Sequence, residues 1–422
     1  MKFMFFSLAL EIMKKGKTNA ANTMSVKARS AALINLRNLK MARSSHAYVR
    51  GNTIKFYEWL EGLESHALPE GPPIWICGDC HVGNLGPIGN AQGRVEIQIR
   101  DLDQTVIGNP VHDLIRLGLS LATAARGSDL SGLTIATMIE RMMEGYESAF
   151  SDIQEDVDRI IEGPKSARVI MRRAWKRTWK NLAAERIENV KPSIPLGKTF
   201  WPLSRKEKAE IKKLFSDKRI AHLATSLHSR DTKAPVEMLD AAHWVKGCSS
   251  LGRLRVAVLL GIDRNGGKDT DFCLMDVKEA IQAAAPRYPE VKMPRDNGKR
   301  VVEGARHLSP FIGERMLAAH FHDRSVFLRE LLPQDLKVEI NRLTQPEAVK
   351  IARFLAQVIG KAHSRQMDAS TREYWKRELL RNRSKTLDAP SWLWTSVVEL
   401  VSRHERGYLE HCRRYAMDPA AR

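Results

Sequence analysis

Apolar residues recur at helical spacing over 26–45 and 52–66, the second stretch through Phe56, Trp59, Leu60 and Leu63. Pro69, Gly71, Pro72 and Pro73 then break the pattern. Ile74-Trp75-Ile76-Cys77 is an apolar run too short for a helix, so a buried strand is expected. The Gly/Pro/Asn-rich stretch from Gly78 to Gly93 reads as a loop. Val95, Ile97 and Ile99 alternate with Glu96, Gln98 and Arg100, the period of a strand that ends at Asp101. Gly108-Asn109-Pro110 is a turn that opens a helix through Leu114, Leu117, Leu121 and Ala124.

From about 130 to 235 the pattern is mostly helical, and from 243 it turns to strands. Arg255 to Ile262 and Phe272 to Lys278 are β-like runs around the turn Asp263 to Gly267, and Val326 to Leu332 is a further apolar run closed by Pro333. Residues 346–363 predict an amphipathic helix with Ala348, Ile351, Ala352, Leu355, Val358, Ile359 and Ala362 on one face. The stretch 370–415 reads as helical and mixed in charge. The pattern predicts an α+β chain: an N-terminal extension (1–30), a helical lobe (31–235), a β-rich lobe (236–335) and C-terminal helices (336–422) that complete the helical lobe.

Composition narrows the class. The chain has 422 residues, 43% of them hydrophobic, enough for a sizeable core, which excludes a wholly disordered protein. Five cysteines at 77, 80, 248, 273 and 412 do not form a secreted disulfide framework. Phe3 to Leu10 is apolar but short, and Lys14, Lys15 and Lys17 follow it, where a secretory signal would carry its charge in front. No apolar run reaches the roughly 18 residues of a membrane span. A cytoplasmic protein is expected. The formal charge of +19 asks for an acidic partner. Residues 164–222 hold seventeen Lys/Arg against five Asp/Glu, so that segment is the candidate surface for one. Within it, Arg172, Arg173, Lys176, Arg177 and Lys180 interleave with Trp175 and Trp179, for which helix packing is a simpler reading than base stacking.

The stretch with the most chemistry is Cys77 to Gly86, CGDCHVGNLG, followed by the strand and Arg100-Asp101-Leu102-Asp103. Phosphoryl transfer needs a carboxylate to orient the attacking hydroxyl and oxygen ligands for Mg²⁺ on the nucleotide phosphates. Asp79 fits the catalytic base, and Asn84 and Asp101 fit the metal ligands. The same residues also match the CxxCH haem-attachment pattern, which requires export, for which the N-terminus offers poor support. Further on, Gly247, Ser249, Ser250 and Gly252 form a small-residue loop whose amides can approach phosphates. Lys278, at the end of a strand, is placed to reach them, with Glu303 as its expected partner carboxylate and Glu279 as the second choice. Phe327 to Leu332 is the expected hinge against the adenine. Arg50-Gly51 is readable as a phosphate contact or as a turn with a buried ion pair, the second being expected.

These motifs resemble known enzymes. Gly78 to Asn84 resembles the catalytic loop HGDxHxxN of aminoglycoside-phosphotransferase and choline-kinase-like enzymes, with Cys77 in place of the first His. Arg100 to Asp103 resembles their metal-binding segment, and Gly108 to Leu114 their GxxxxDL. In such kinases the glycine loop and lysine come before the catalytic loop, whereas here they follow it. Reading 243–363 first and 74–126 second restores the usual order, so the resemblance implies a circularly permuted, protein-kinase-like two-lobe fold that binds ATP and Mg²⁺. Lys40 to Gly51, the catalytic segment, Met275 to Ala280 and Arg300 to Arg306, taken together, resemble the uncharacterised bacterial family called domain of unknown function 2252, over roughly 30–410. The expected function is an ATP/Mg²⁺-dependent phosphotransferase for an acidic or neutral acceptor, with adenylyl transfer open. The alternatives are a non-catalytic nucleotide-binding relative and a basic nucleic-acid-binding protein.

Overall fold

Serine side chains start the first two helices. Ser25 accepts a hydrogen bond from the Ala28 amide at the head of α1 (Val26–Met41), and Ser44 accepts one from Ala47 at the head of α2 (Ser45–Gly51). The computed structural model describes residues 24–150, 164, 168, 169 and 193–417, apart from 65, 228, 229, 249, 264–269, 289, 333–343, 382 and 384–388. Helix α3 (Thr53–Glu61) buries Phe56, Tyr57 and Trp59 and stops at Gly62, sooner than the apolar pattern suggests.

Strand β1 (Ile74–Ile76) pairs antiparallel with β4 (Val106–Gly108), and between them β2 (Leu85–Gly89) and β3 (Val95–Ile99) form a hairpin. The stretch expected to be loop through Gly93 is therefore loop only as far as a 3₁₀ turn at Val82–Asn84. Leu85 and Ile88 are fully buried and draw the next five residues into a strand, whose open outer edge tolerates Pro87. Helix α4 (Val111–Arg126) is buried on nearly every side, and α5 (Gly132–Ser148) packs beside it.

A six-stranded antiparallel sheet follows, in the order β5 (Phe200–Trp201), β6 (Val236–Trp244), β7 (Arg255–Asp263), β8 (Thr270–Glu279), β10 (Arg324–Glu330), β9 (Met316–Phe321). Between β5 and β6 run α6 (Arg205–Phe215) and α7 (Lys218–Thr225); between β8 and β9 run α8 (Asn297–Leu308) and α9 (Pro310–Gly313). The alternation of side chains divides the sheet. Val256, Val258, Met275, Val277 and Leu328 face one core with Ile211, Ile220 and Leu223 of α6 and α7. Ala257, Leu259 and Leu274 lie on the opposite face, which ends in the charged set Arg255, Asp276, Lys278 and Arg329. The sheet side thus begins near residue 200, ahead of the expected boundary at 235, because Phe200, Ile211 and Ile220 pack onto the strands.

Helices α10 (Gln345–Ser364), α11 (Ala369–Leu380) and α12 (Ser391–Tyr415) return to the helical core. Helix α10 lies along α5 so closely that a Cβ on Gly145 would stand 2.0 Å from the Arg353 carbonyl oxygen. The stripe predicted for 346–363 is buried from Ala348 to Ala362, with Val358 at its margin. The result is a mixed α+β fold of helices and antiparallel sheets. No helix among the described residues is long and apolar enough to cross a membrane.

Candidate active site

The segment after β1 is fixed by its backbone. Gly78 has φ +72°, and a Cβ there would stand 2.2 Å from the Gln104 carbonyl oxygen, so only glycine fits. Asp113, in the first turn of α4, accepts the Cys77 amide at 2.7 Å and the Gly78 amide at 3.0 Å. His363, at the end of α10, lies 3.2 Å from the same carboxylate, and its other ring nitrogen is 2.8 Å from the Tyr146 hydroxyl. Trp375 Nε1 donates to that hydroxyl at 3.1 Å. One direction satisfies the chain: Trp375 donates to Tyr146, Tyr146 to His363 Nδ1, and His363 Nε2–H to Asp113, which only accepts. Four buried side chains from four elements therefore hold two backbone amides.

Asp79 projects from this loop into a cleft and is held by Arg116 of α4, with Nε at 3.1 Å and Nη2 at 2.8 Å from Oδ1. Arg116 also donates to the Val49 carbonyl at 2.6 Å, tying α2 to the loop. Burial raises the Asp79 pKa, and the Arg116 charge and hydrogen bond only partly oppose it, so the carboxylate is a better proton acceptor than an exposed aspartate. Asn84 spans the loop: its amide oxygen accepts the Asp101 N–H at 2.6 Å, and its nitrogen donates to the Asp101 carbonyl at 2.6 Å. In this arrangement Asn84 positions Asp101 and keeps one lone pair of its oxygen uncommitted.

Lys278 of β8 reaches across from the sheet. Its Nζ is 3.0 Å from Asp101 Oδ1 and is also paired with Asp103. Burial raises the Asp101 pKa, but Lys278, a hydrogen bond from Asp103 and the more distant Arg329 and Arg255 outweigh it and hold it well below the usual range. Asp103 goes the other way, to about 6, through burial and the Asp101 charge beside it. Two carboxylates thus share one ammonium, and only one of them ionises easily.

The cleft is lined by Asp79, Asn84, Asp101, Asp103, Gly247 and Ser250, together with Arg50, His81, Lys246, Arg255 and Arg329, around ≈ 800 Å³ of empty space that includes open solvent. Asp79, Asn84, Asp101, Gly247 and Ser250 therefore meet in one place, with Lys278 bridging to Asp101. Gly252 turns away from the cleft, and a Cβ on it would stand 2.9 Å from Ile34 of α1; Ser249 lies outside the described residues.

Glu303 is not the partner of Lys278. It sits on the outer side of α8, where it pairs with Arg306 and His307 one turn on, while Asp101 and Asp103 supply the carboxylates. Glu279 accepts the Leu254 amide and pairs with Arg324. Phe327, expected in a hinge, lies within β10 opposite Lys278. The Arg50-Gly51 pair does not hold a buried ion pair: Gly51 ends α2, and Arg50 makes no hydrogen bond or ion pair among the described residues. Trp175, Trp179 and the interleaved basic residues lie outside the described residues, so only part of the 164–222 segment is in view.

Three positions that shape the cleft do not stand out in the sequence pattern. Arg116 reads there as one charge on an amphipathic helix. Arg300 of α8 donates to the carbonyls of Asp103, Thr105 and Ile281 and so fixes the segment after Asp101. Asp103 carried a signal: two residues beyond Asp101, it is near enough to share the same cation.

Among the described residues no group of three His, Cys, Asp or Glu converges as a metal site. Asp101, Asp103 and Asn84 nevertheless line one cleft and carry oxygen donors of the kind hard cations take, and Asp103 Oδ1 is buried with no partner.

The fold and site define a mixed α+β protein whose polar cleft is built from a rigid loop on the helical core and the charged end of an antiparallel sheet. It belongs to the family described as "Uncharacterized protein conserved in bacteria (DUF2252)", whose sequence model matches residues 29–414. Neither the curated proteins nor the solved structures gave a match.

Proposed function

We propose that the chain is an ATP- and Mg²⁺-dependent phosphotransferase with a kinase-like two-lobe fold in circularly permuted order. The observation that carries this reading is the Lys278–Asp101 pair at 3.0 Å, between residues 177 apart in sequence. The sheet and helix order supports it: a small-residue loop between β6 and β7, a lysine near the end of β8, then helices α8 and α9, two strands and α10 with His363 at its end. Followed by β1 and the Asp79 loop, that is the kinase order cut at a different point.

In this reading an acceptor hydroxyl lies beside Asp79. Its oxygen attacks the γ-phosphorus, the bond from the γ-phosphorus to the β–γ bridging oxygen breaks, ADP leaves, and the hydroxyl proton passes to Asp79. Arg116 keeps the Asp79 carboxylate in one orientation, and burial keeps it basic. Lys278 exchanges its two carboxylates for nucleotide phosphates, while Gly247 and Ser250 leave room for phosphate oxygens near the backbone. Asp101, Asp103 and Asn84 would hold Mg²⁺, which supplies charge neutralisation on the phosphates when bound.

The test is calorimetric titration of ATP with Mg²⁺, paired with an ADP-release assay on candidate acceptors. Binding by the wild type and its loss on Asp101→Ala is the expected result. Nucleotide binding unchanged by Asp101→Ala, with no phosphate turnover on any acceptor, would refute the reading.

A further inference from the structure

The cations around the cleft differ in what they already hold. Arg116 is committed to Asp79, Lys278 to Asp101 and Asp103, and Arg255 to Asp276 at 2.5 Å. Arg50 holds nothing among the described residues, and its Nε is buried without a partner. His81 is 7% exposed, lines the same cleft and has a buried Nδ1 without a partner. Arg50 Nε and His81 Nδ1, like Asp103 Oδ1, are buried and unmet beside this cavity, and such groups are expected to be completed by a ligand.

Their surroundings indicate its charge. Arg50 lies over the catalytic loop at Gly83, where a Cβ would stand 3.0 Å from its Cζ and 3.3 Å from Nε and Nη1. The charges acting on nearby Cys248 are all cationic: Arg50, Lys40 and Arg37. Lys40 reaches the Gly247 carbonyl at 3.3 Å, so these cations gather where the glycine loop meets the catalytic loop. A guanidinium fork, an imidazole and flanking cations suit a dianionic tetrahedral group better than a single carboxylate.

We propose that Arg50 and His81 form the anion-binding half of the acceptor site, and that the acceptor carries a phosphate monoester group beside the hydroxyl that reacts. This rests on the phosphotransferase reading and adds its substrate class. Arg50 presses on the segment between Asp79 and Asn84, whereas Lys278 sits against Asp101 and Asp103, so acceptor and nucleotide phosphates have separate cations.

The probe is inorganic phosphate, titrated by calorimetry into the full-length chain with and without saturating Mg²⁺ and a non-hydrolysable ATP analogue. Phosphate should bind the wild type in both conditions and bind Arg50→Ala at least tenfold more weakly. Gly83→Ala, whose methyl displaces the guanidinium, should weaken it in the same direction, which keeps the test open if Arg50→Ala fails to fold. Phosphate affinity unchanged by both substitutions, no phosphate binding to the wild type, or complete displacement of phosphate by the analogue would overturn the proposal. The two readings fail separately. Arg50-dependent phosphate binding without analogue binding supports the anion site and refutes the nucleotide; analogue binding without phosphate binding does the reverse.

Discussion

Replacing Asp113 by asparagine tests how the loop after β1 is held. The Asp113 carboxylate accepts from Cys77 N–H, Gly78 N–H and His363 Nε2–H. Asparagine keeps one oxygen, enough for one backbone amide. Its NH₂ can face His363 if the imidazole switches tautomer and donates from Nδ1 to Tyr146, whose oxygen tolerates a second donor. The other backbone amide then has no acceptor. Leaving one buried donor unmet costs about 1–3 kcal/mol. At about 1.4 kcal/mol per tenfold change, that is roughly a 5- to 150-fold shift in the opening equilibrium of this loop. The assay is amide hydrogen exchange on a peptide covering residues 77 and 78, in the regime where exchange reports the opening equilibrium. Exchange should quicken within that range for Asp113→Asn, while peptides from β7 and β8 stay unchanged. Unchanged exchange at 77 and 78 would refute the claim that Asp113 anchors the loop.

Other consequences follow from single residues. Gly78→Ala should lower stability by about 2 kcal/mol or more, from the positive φ and the contact with the Gln104 carbonyl, and a chemical denaturation midpoint equal to wild type would contradict this. Glu303→Ala should change stability by less than about 0.5 kcal/mol and leave nucleotide binding intact, since Glu303 forms only exposed pairs within α8; a large loss of ATP affinity in calorimetry would restore it as a site residue. His404 is buried, and desolvation, aided by Arg116, lowers its pKa to about 4, so between pH 4 and about 6.5 the unfolded state binds the extra proton. Its stability contribution is complete above about pH 6.5 and is lost as pH falls toward 4, by roughly 3 kcal/mol. His404→Gln should therefore flatten the acid limb of the stability profile, and an acid limb of unchanged slope would count against the burial argument.

Much of the cleft was legible because its residues cluster in sequence around strand ends. A short apolar run placed Asp79 and Asn84 on the loop after a strand, a period-two alternation placed Asp101 at the end of the next one, and a β-like run is closed by Lys278. Glu303 differs from its expected role because its segment is a helix, on which it faces Arg306 and His307 at three- and four-residue spacing. Strand β6 escaped notice at its start because Val236 to Asp240 lie only partly covered, and their Glu and Asp residues look like surface. Arg50 and Arg116 look alike in sequence. Only the fold shows that one is committed to a carboxylate and the other is not.

The most direct test of the central claim is a crystal structure of the full chain with Mg²⁺ and a non-hydrolysable ATP analogue. The triphosphate should lie between the 247–252 loop and Asp101, with the ion on Asp101 and Asn84 or Asp103, and Lys278 turned from Asp101 to the phosphates. A nucleotide bound away from that cleft, or Lys278 still paired with Asp101 and Asp103 beside an occupied site, would contradict it.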